Sequence, residues 1–165
     1  MTKLTHLDET GRASMVDITD KKPTSRRALA EGFVVMSRGT FDLVQSDKNP
    51  KGNVENIAEL AGIMGAKRTS ELIPLCHPLP LSKVKVRVMT DANLPGLRVT
   101  AEVITRGATG VEMEALTAVS ISCLTIYDML KASDKAMRIE AVRLMEKQGG
   151  KSGDWNAAAK SKTMS

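Results

Sequence analysis

The sequence predicts an α+β fold, a two-layer sandwich in which an antiparallel sheet carries helices on one face. Two segments, residues 81–90 and 97–105, alternate apolar and polar side chains on either side of a turn-forming stretch, and together they predict a hairpin. The longest helical pattern, residues 111–131, follows this hairpin. With the remaining elements the predicted order is β-α-α-β-β-α-β, which is typical of such a sandwich.

Three segments open the chain after a leader. Residues 15–19 alternate apolar and polar side chains, which predicts either an edge strand or an extended arm. The basic residues 20–27 predict either a solvated loop or a mobile arm that closes over an anion. Residues 28–36 alternate well enough to predict the first strand of the sheet.

Two helices are predicted next. Ser37 and Asn53 each offer a side chain suited to N-capping, and the helices that they begin are expected to run to residues 45 and 67. Gly62 and Gly65 lower the helix propensity of the second one, so we expect them to permit close approach of another element.

The rest of the chain completes one domain over residues 1–165. Residues 68–75 predict a short turn or helix, and residues 137–145 predict a last strand. We expect residues 1–14 to be a flexible leader and residues 156–165 a flexible tail.

Composition narrows the class of protein. The 165 residues carry a formal charge of +5, spread through several loops, which is compatible with an anionic ligand and also with no specific one. Nucleic-acid binding is disfavoured because no basic stripe is interleaved with aromatic residues. The two cysteines predict buried free thiols. The N-terminus lacks the apolar core of a signal peptide, and the apolar run of the long helix is too short and too rich in Ser and Thr for a membrane span, so we predict a cytoplasmic protein.

The long helix carries titratable groups only at its ends. Glu112 and Glu114 occupy the first turn, while Asp128 and Lys131 lie at i and i+3 near the end and can interact. About 21 Å separates Glu114 from Asp128 on an ideal helix, which is too far for one small ligand. The charges therefore indicate either simple matching to the helix dipole or an antiparallel pair of helices in an oligomer.

Two further segments can carry chemistry. His77 stands between Cys76 and Pro78 and is either a structural histidine or a site residue; a zinc site is disfavoured because His6 is the only other histidine. Residues 147–154 contain Gly-Lys-Ser but lack the glycine spacing and the following helix of a Walker loop. This loop either cradles an anion through its glycines or leads into a flexible tail.

Four motifs stand in one order along the chain: residues 72–79 (LIPLCHPL), 109–117 (TGVEMEALT), 124–129 (LTIYDM) and 149–154 (GGKSGD). Together they resemble the MoaC family of molybdenum-cofactor biosynthesis. Residues 15–17, 24–28, 51–52, 61–63 and 66–69 fit the same pattern, so the resemblance covers the chain from about residue 4 to residue 155.

The resemblance implies an enzyme, a phosphorus–oxygen lyase. The family converts 3′,8-cyclo-7,8-dihydroguanosine 5′-triphosphate, the product of a radical-SAM enzyme, to cyclic pyranopterin monophosphate with loss of pyrophosphate. It is similar in fold to ferredoxin-like sandwiches and assembles as a homohexamer, a trimer of dimers with sites at dimer interfaces. No cofactor is expected to be required, although Mg²⁺ can accompany the triphosphate, and no protein metal site is expected.

The resemblance also implies site residues. The family's catalytic positions correspond to Asp128, its acid/base residue, and to Lys131 and Lys51. Its substrate-binding positions correspond to Asp17, Lys21, Arg26, Leu75, Cys76, His77, Glu112, Met113, Glu114 and Lys147.

The chemistry suggests a role for several of these residues. Asp128 and Lys131 suit proton transfer during ring opening and closure. Lys51, Arg26 and His77 suit the phosphates. A carboxylate pair, Glu112 and Glu114, suits the guanidine-like edge of the substrate. Two other classes stay open at this stage: a catalytically silent binding protein on the same fold, and nucleic-acid binding through the basic loops.

Overall fold

A five-stranded antiparallel sheet forms one layer of the molecule. The computed structural model describes residues 6, 10–46 and 53–157. Its strands are β1 Thr24–Val35, β2 Leu81–Asp91, β3 Gly96–Gly107, β4 Arg138–Gln148 and β5 Trp155–Asn156. They lie in the order β2-β3-β1-β4-β5, so the hairpin partners β2 and β3 are adjacent and β1 lies in the middle of the sheet.

Helices form the second layer. They are α1 Arg38–Gln45, α2 Val54–Lys67, α3 Thr69–Leu72 and α4 Glu112–Leu130. The two predicted N-caps are confirmed: Ser37 Oγ accepts a hydrogen bond from the Thr40 N–H at 3.3 Å, and Asn53 Oδ1 accepts one from the Asn56 N–H at 2.7 Å. The predicted α+β sandwich with helices on one face of an antiparallel sheet is therefore confirmed, and its strand order is consistent with a ferredoxin-like fold.

The N-terminal and C-terminal ends of the sheet differ from the prediction. Strand β1 begins at Thr24, because residues 24–27 pair with the end of β3, so this part of the predicted loop or arm belongs to the sheet. Residues 15–19 form no strand. At the other end, Trp155 and Asn156 add a short strand beside β4, so residue 156, which was expected in the tail, belongs to the sheet. These pairings depend on neighbours distant in sequence, which local patterns do not reveal.

The core lies between β1, β3 and α4. Small side chains of β1, including Ala28 and Ala30, are fully buried beneath the helix, as are Val99 and Ala101 of β3. The two glycines of α2 permit the close packing that the sequence predicted. A Cβ on Gly62 would lie 2.2 Å from Ser122 Oγ and 2.9 Å from a backbone oxygen of α4, and one on Gly65 would lie 2.8 Å from Ile121.

Helix α4 is buried on two sides, against the sheet and against α2. It packs against β1, β3 and β4 on one side and against α2 on another, whereas Met113 and Leu124 are 37% and 55% exposed. The helix also has the length and composition of a membrane span, among the described residues the one that does, so the argument that its apolar run is too short is wrong. Its packing identifies it as the core helix of the domain.

Candidate functional site

Two cavities open at one end of the sheet, and they adjoin each other. The first, of about 290 Å³, is lined by His6, Val16, Lys21, Leu75, Cys76, His77, Leu79, Thr109, Gly110, Glu112, Met113 and Glu114. The second, of about 500 Å³, is lined by Lys21, Arg26, Arg27, Ala108, Thr109, Gly110, Glu112, Lys147, Gln148, Gly149, Lys151 and Ser152. Because four of these residues line both cavities, we treat them as two halves of one cleft.

The fold brings these residues together from distant parts of the chain. The start of β1 lies beside the end of β3, with Thr24 opposite Gly107, and beside the end of β4, with Arg27 opposite Gln148. The loop from β3 to α4 runs across the same end. The segment after α3 delivers Leu75 to His77 to the first cavity.

The two cavities differ in charge. The first contains the two glutamates of the α4 N-terminus together with Cys76 and His77, and Lys21 lines both cavities. The second contains Lys21, Arg26, Arg27, Lys147 and Lys151, with Glu112 as the one carboxylate among the residues that line it. An anion is therefore favoured in the second cavity, and a group that donates hydrogen bonds is favoured in the first.

Glu114 is the most perturbed carboxyl group of the cleft. Its side chain points inward from the first turn of α4, and the residue is only 4% exposed. Burial, with a smaller contribution from the neighbouring Glu112 carboxylate, raises the pKa of Glu114 from its ordinary 4.5 to about 7. At neutral pH this group can both donate and accept a proton, which suits acid–base chemistry.

Glu112 links the two cavities. Its Oε1 lies 3.3 Å from Lys147 Nζ, and both side chains are half-buried. Lys147 Nζ also donates a hydrogen bond to Ser152 Oγ at 2.7 Å. The Glu112 carboxylate fits here only because residue 110 is a glycine: a Cβ on Gly110 would lie 1.9 Å from Glu112 Oε2.

Neighbouring arginines of β1 have different partners. Arg27 is paired with Glu102 at 2.7 Å and with Glu146 at 2.9 Å, so its charge is largely balanced within the sheet. Arg26 instead donates long hydrogen bonds to the backbone oxygens of Gly107 and Ala108, at 3.4 and 3.5 Å. Its guanidinium therefore keeps its charge available for an anion in the second cavity.

Cys76 lines the first cavity beside His77, whereas Asp17 is not among the residues that line either cavity. Burial, and then the charge of Glu114, raises the pKa of the Cys76 thiol, so the neutral thiol is favoured over a metal-binding thiolate. Asp17 accepts hydrogen bonds from the Thr19 hydroxyl at 2.7 Å and from its N–H at 2.9 Å. These bonds, and the nearby charges of Lys21 and His77, lower the pKa of Asp17.

Asp128 and Lys131 lie at the far end of α4 and line neither cavity. The predicted i, i+3 contact is present, with Lys131 Nζ 2.5 Å from Asp128 Oδ1. This hydrogen bond, and then the carboxylate charge, raises the pKa of Lys131, so the ammonium form is held in place as a donor. One continuous helix separates the pair from Glu114, so the estimated distance of about 21 Å still applies.

Lys51 lies outside the described residues. In the part of the chain that the structure describes, no group of three or more His, Cys, Asp or Glu side chains is arranged to hold a metal ion. The predicted roles of individual residues in catalysis stay predictions. His77, which we expected beside Arg26 on the phosphates, lines the first cavity rather than the second.

Several lining residues escaped the sequence reasoning. Arg27, Thr109 and Lys151 belong to motifs that were noticed, but nothing in their spacing pointed to the cleft. His6 was assigned to the leader, and it lines the first cavity. The concentration of glycines at 107, 110, 149 and 150 was the available signal, because glycines cluster where backbone and ligand approach closely.

The fold and the cleft define a class of protein: a ferredoxin-like α+β protein whose cleft joins a cationic cavity to one that holds a buried carboxyl group of raised pKa. Comparison of the amino-acid sequence with known protein families makes this class more specific. The chain belongs to the MoaC family, whose model matches residues 15–150.

Curated relatives match almost the whole chain. A protein of Methylobacterium sp. (strain 4-46) is 60% identical over 157 residues, which cover 95% of this chain and 98% of the relative. A protein of Cereibacter sphaeroides (strain KD131) is 58% identical, and the match covers 96% of this chain and 100% of the relative. A protein of Brucella ovis is 60% identical, and the match covers 93% of this chain and 93% of the relative. All three are named cyclic pyranopterin monophosphate synthase.

Proposed function

We propose that this protein is a cyclic pyranopterin monophosphate synthase of molybdenum cofactor biosynthesis. It acts as a phosphorus–oxygen lyase that converts 3′,8-cyclo-7,8-dihydroguanosine 5′-triphosphate to cyclic pyranopterin monophosphate and pyrophosphate. The relatives of 58–60% identity that bear this name support the proposal. The observation that carries it is the cleft itself, which joins a cationic cavity to one with a titratable carboxyl group near neutral pH.

The second cavity suits the triphosphate. Arg26 and Lys147 come from neighbouring strands and Lys21 from the preceding segment, so three cations converge on one volume. Loss of pyrophosphate and closure of a cyclic phosphate both place negative charge on phosphoryl oxygens. Fixed cations stabilise that charge more effectively than water does. Lys51 is proposed to join this group.

The first cavity suits the purine-derived ring. Glu114 with a pKa of about 7 can give a proton to a ring nitrogen and take one back. Glu112 lines the same cavity and supplies a carboxylate that accepts hydrogen bonds. His77, also in the lining, can either accept or donate one. Leu75 and Met113 provide apolar contact for the flat face of the ring, and Cys76 takes part as a neutral thiol.

Asp128 and Lys131 act in the site of a second copy. The ion pair is exposed, with 71% and 53% of the Asp128 and Lys131 side chains accessible, and neither residue lines either cavity. The exposed side chain of Leu124 lies one turn before this ion pair on α4, and Met113, at the cleft end of the same helix, is also exposed. An antiparallel pair of α4 helices would cover them and bring the ion pair of one copy to the cleft of the other. This arrangement fits a homohexamer built as a trimer of dimers.

The remaining expectations belong to the same proposal. The substrate comes from an upstream radical-SAM enzyme, the location is cytoplasmic, and the protein needs neither nucleic acid nor membrane. No cofactor is required; Mg²⁺ can enter with the triphosphate, because a triphosphate binds Mg²⁺ through its own oxygens.

The test is turnover of purified protein with the cyclic triphosphate. We expect stoichiometric release of pyrophosphate and an oxidisable pterin, and loss of both with Arg26→Ala. Arg38→Ala is a matched control, because Arg38 is an exposed arginine of α1 paired with Asp42. A tight complex without product would instead favour a catalytically silent binding protein.

A further inference from the structure

The loop that follows β4 makes contact with two of the cations proposed for the phosphates. Lys147, the penultimate residue of β4, donates to Ser152 Oγ at 2.7 Å. The same ammonium lies 3.3 Å from Glu112. Without Ser152, the remaining side-chain partner of this ammonium in the described chain would be the Glu112 carboxylate.

The backbone of the loop makes room for Arg26. Gly150 has a φ of 86°, and a Cβ on it would lie 1.5 Å from Nη1 of Arg26. The guanidinium therefore lies directly over the Gly150 backbone. Gly149 also has a φ of 86°, and a Cβ on it would lie 2.2 Å from the Ser25 carbonyl oxygen. Both positions need glycine for its conformation and for its size.

One carboxylate closes the loop. Asp154 Oδ1 accepts a hydrogen bond from the Gly149 N–H at 2.9 Å, and the Gly153 N–H donates to the Gly150 carbonyl at 3.1 Å. The glycines alone would let this segment sample many conformations. The two hydrogen bonds select the one in which Gly150 supports Arg26 and Ser152 reaches Lys147.

We infer that Ser152 and Asp154 are positioning residues, which set the cations Lys147 and Arg26 for the phosphates through the closed loop of residues 149–154. The inference rests on the proposed function, because it assumes that the second cavity receives phosphates. Neither residue needs to touch the substrate. Ser152 acts on the direction of one ammonium group, and Asp154 acts on the shape of the loop that supports one guanidinium group.

The experiment compares Ser152→Ala, Ser152→Thr and Asp154→Asn with the full-length wild-type protein. Inorganic pyrophosphate is the probe for the second cavity, with its Kd measured by calorimetry. We expect Ser152→Ala and Asp154→Asn to raise this Kd by roughly 3–10-fold, the effect of one hydrogen bond. Ser152→Thr keeps the hydroxyl and should restore the affinity.

Steady-state kinetics give a second readout. With the cyclic triphosphate, Ser152→Ala should raise KM by a similar factor at an unchanged melting temperature, whereas a merely structural role would lower the melting temperature and the active fraction together. Ser82→Ala and Asp91→Asn are the controls. Ser82 is exposed in β2, and Asp91 accepts a hydrogen bond from the Asn93 N–H in a turn away from the cleft.

Two results would overturn the inference: an unchanged pyrophosphate Kd in both loop variants, or a Ser152→Thr protein as weak as Ser152→Ala. Failure of the proposed function gives a different pattern. In that case the wild-type protein forms no product from the cyclic triphosphate, while the pyrophosphate measurements still report whether the loop sets the cations.

Discussion

Glu114 shows how one side chain acquires a functional property from its position. On an exposed helix its carboxyl group would be ionised at neutral pH. In the first turn of α4 it points into the protein beside Glu112, and burial raises its pKa to about 7. Ionisation of such a buried carboxyl group lowers the stability of the protein. A titratable group of perturbed pKa in a cleft is typical of a role in proton transfer.

The raised pKa predicts a pH dependence of stability. The folded protein holds the Glu114 proton up to pH of about 7, whereas the unfolded chain releases it near 4.5, so the folded state binds more protons between these values. Stability should therefore fall as pH rises through this window, by on the order of 3 kcal/mol from this group.

Urea unfolding at a series of pH values, compared between wild type and Glu114→Gln, measures this contribution. The variant should lose the fall between pH 5 and pH 7. Glu71→Gln changes an exposed glutamate and should keep the wild-type profile. Equal profiles for wild type and Glu114→Gln would show that the carboxyl group is not perturbed.

Glu31 is a buried carboxylate on the face of the sheet away from α4. It is 2% exposed and lies between Arg98, with Nη2 at 2.6 Å, and Arg143, with Nη2 at 2.7 Å. Burial alone would raise its pKa, but the hydrogen bonds and charges of the two arginines outweigh burial and lower it. The carboxylate thus joins β3, β1 and β4 through side chains.

Replacing Glu31 tests this junction. Glu31→Gln leaves the hydrogen-bonding shape but removes the charge between two arginines, so the free energy of unfolding should fall by about 1–3 kcal/mol at neutral pH. Chemical denaturation gives this value directly. Glu140→Gln removes an exposed partner of Arg138 and should cost less than about 1 kcal/mol. Equal losses in the two variants would contradict a special role for the buried pair.

At the scale of elements, the contact between α2 and α4 depends on small residues. Gly62 approaches the α4 backbone so closely that a methyl group would meet Ser122 Oγ at 2.2 Å and the Ala118 carbonyl oxygen at 2.9 Å. Ser122 Oγ also donates a hydrogen bond to the Ala58 carbonyl across the same contact, at 2.8 Å. The two helices therefore cannot accept a larger side chain without moving apart.

Gly62→Ala should consequently destabilise the protein. Alanine improves helix propensity by up to about 1 kcal/mol. Overpacking costs about 1–3 kcal/mol and should outweigh that gain. Gly39→Ala is the matched control in α1, because nothing lies within 4 Å of its Cβ position, and it should be neutral or stabilising. Thermal unfolding of both variants decides the matter: a Gly62→Ala protein as stable as Gly39→Ala would refute the tight contact.

At the scale of the whole molecule, the two ends of α4 cannot serve one site within one chain. Mixing two inactive proteins, Glu114→Gln and Asp128→Asn, should therefore restore activity when subunits exchange. Random pairing predicts about a quarter of the wild-type activity, because half of the pairs are mixed and each has one intact site. Pyrophosphate release is the readout.

The control for this mixing is the double variant Glu114→Gln/Asp128→Asn with either single variant, which leaves no intact site. Exchange itself can be followed with subunits that carry different tags. No recovery despite complete exchange would exclude a site shared between copies, and it would leave Asp128 and Lys131 without the role that we propose for them.

Local sequence patterns predicted the elements with small errors. The caps at Ser37 and Asn53, the hairpin and the long helix all depend on near neighbours, and all are present. The start of β1 at Thr24 was missed because residues 24–27 carry charge and follow a proline. Only pairing with β3, and neutralisation of Arg27 by Glu102 and Glu146, makes that segment a strand.

The class of fold, the family and the residue types of the site follow from the amino-acid sequence alone, because periodicity, caps and motifs are properties of neighbouring residues. Tertiary structure decided what those residues can do. It brought Lys21, Arg26 and Lys147 to one cavity, buried Glu114 enough to raise its pKa, and left Asp128 with Lys131 at the other end of the same helix. Charge, burial and distance are set by residues far apart in the chain, and for that reason they emerge only when the chain has folded.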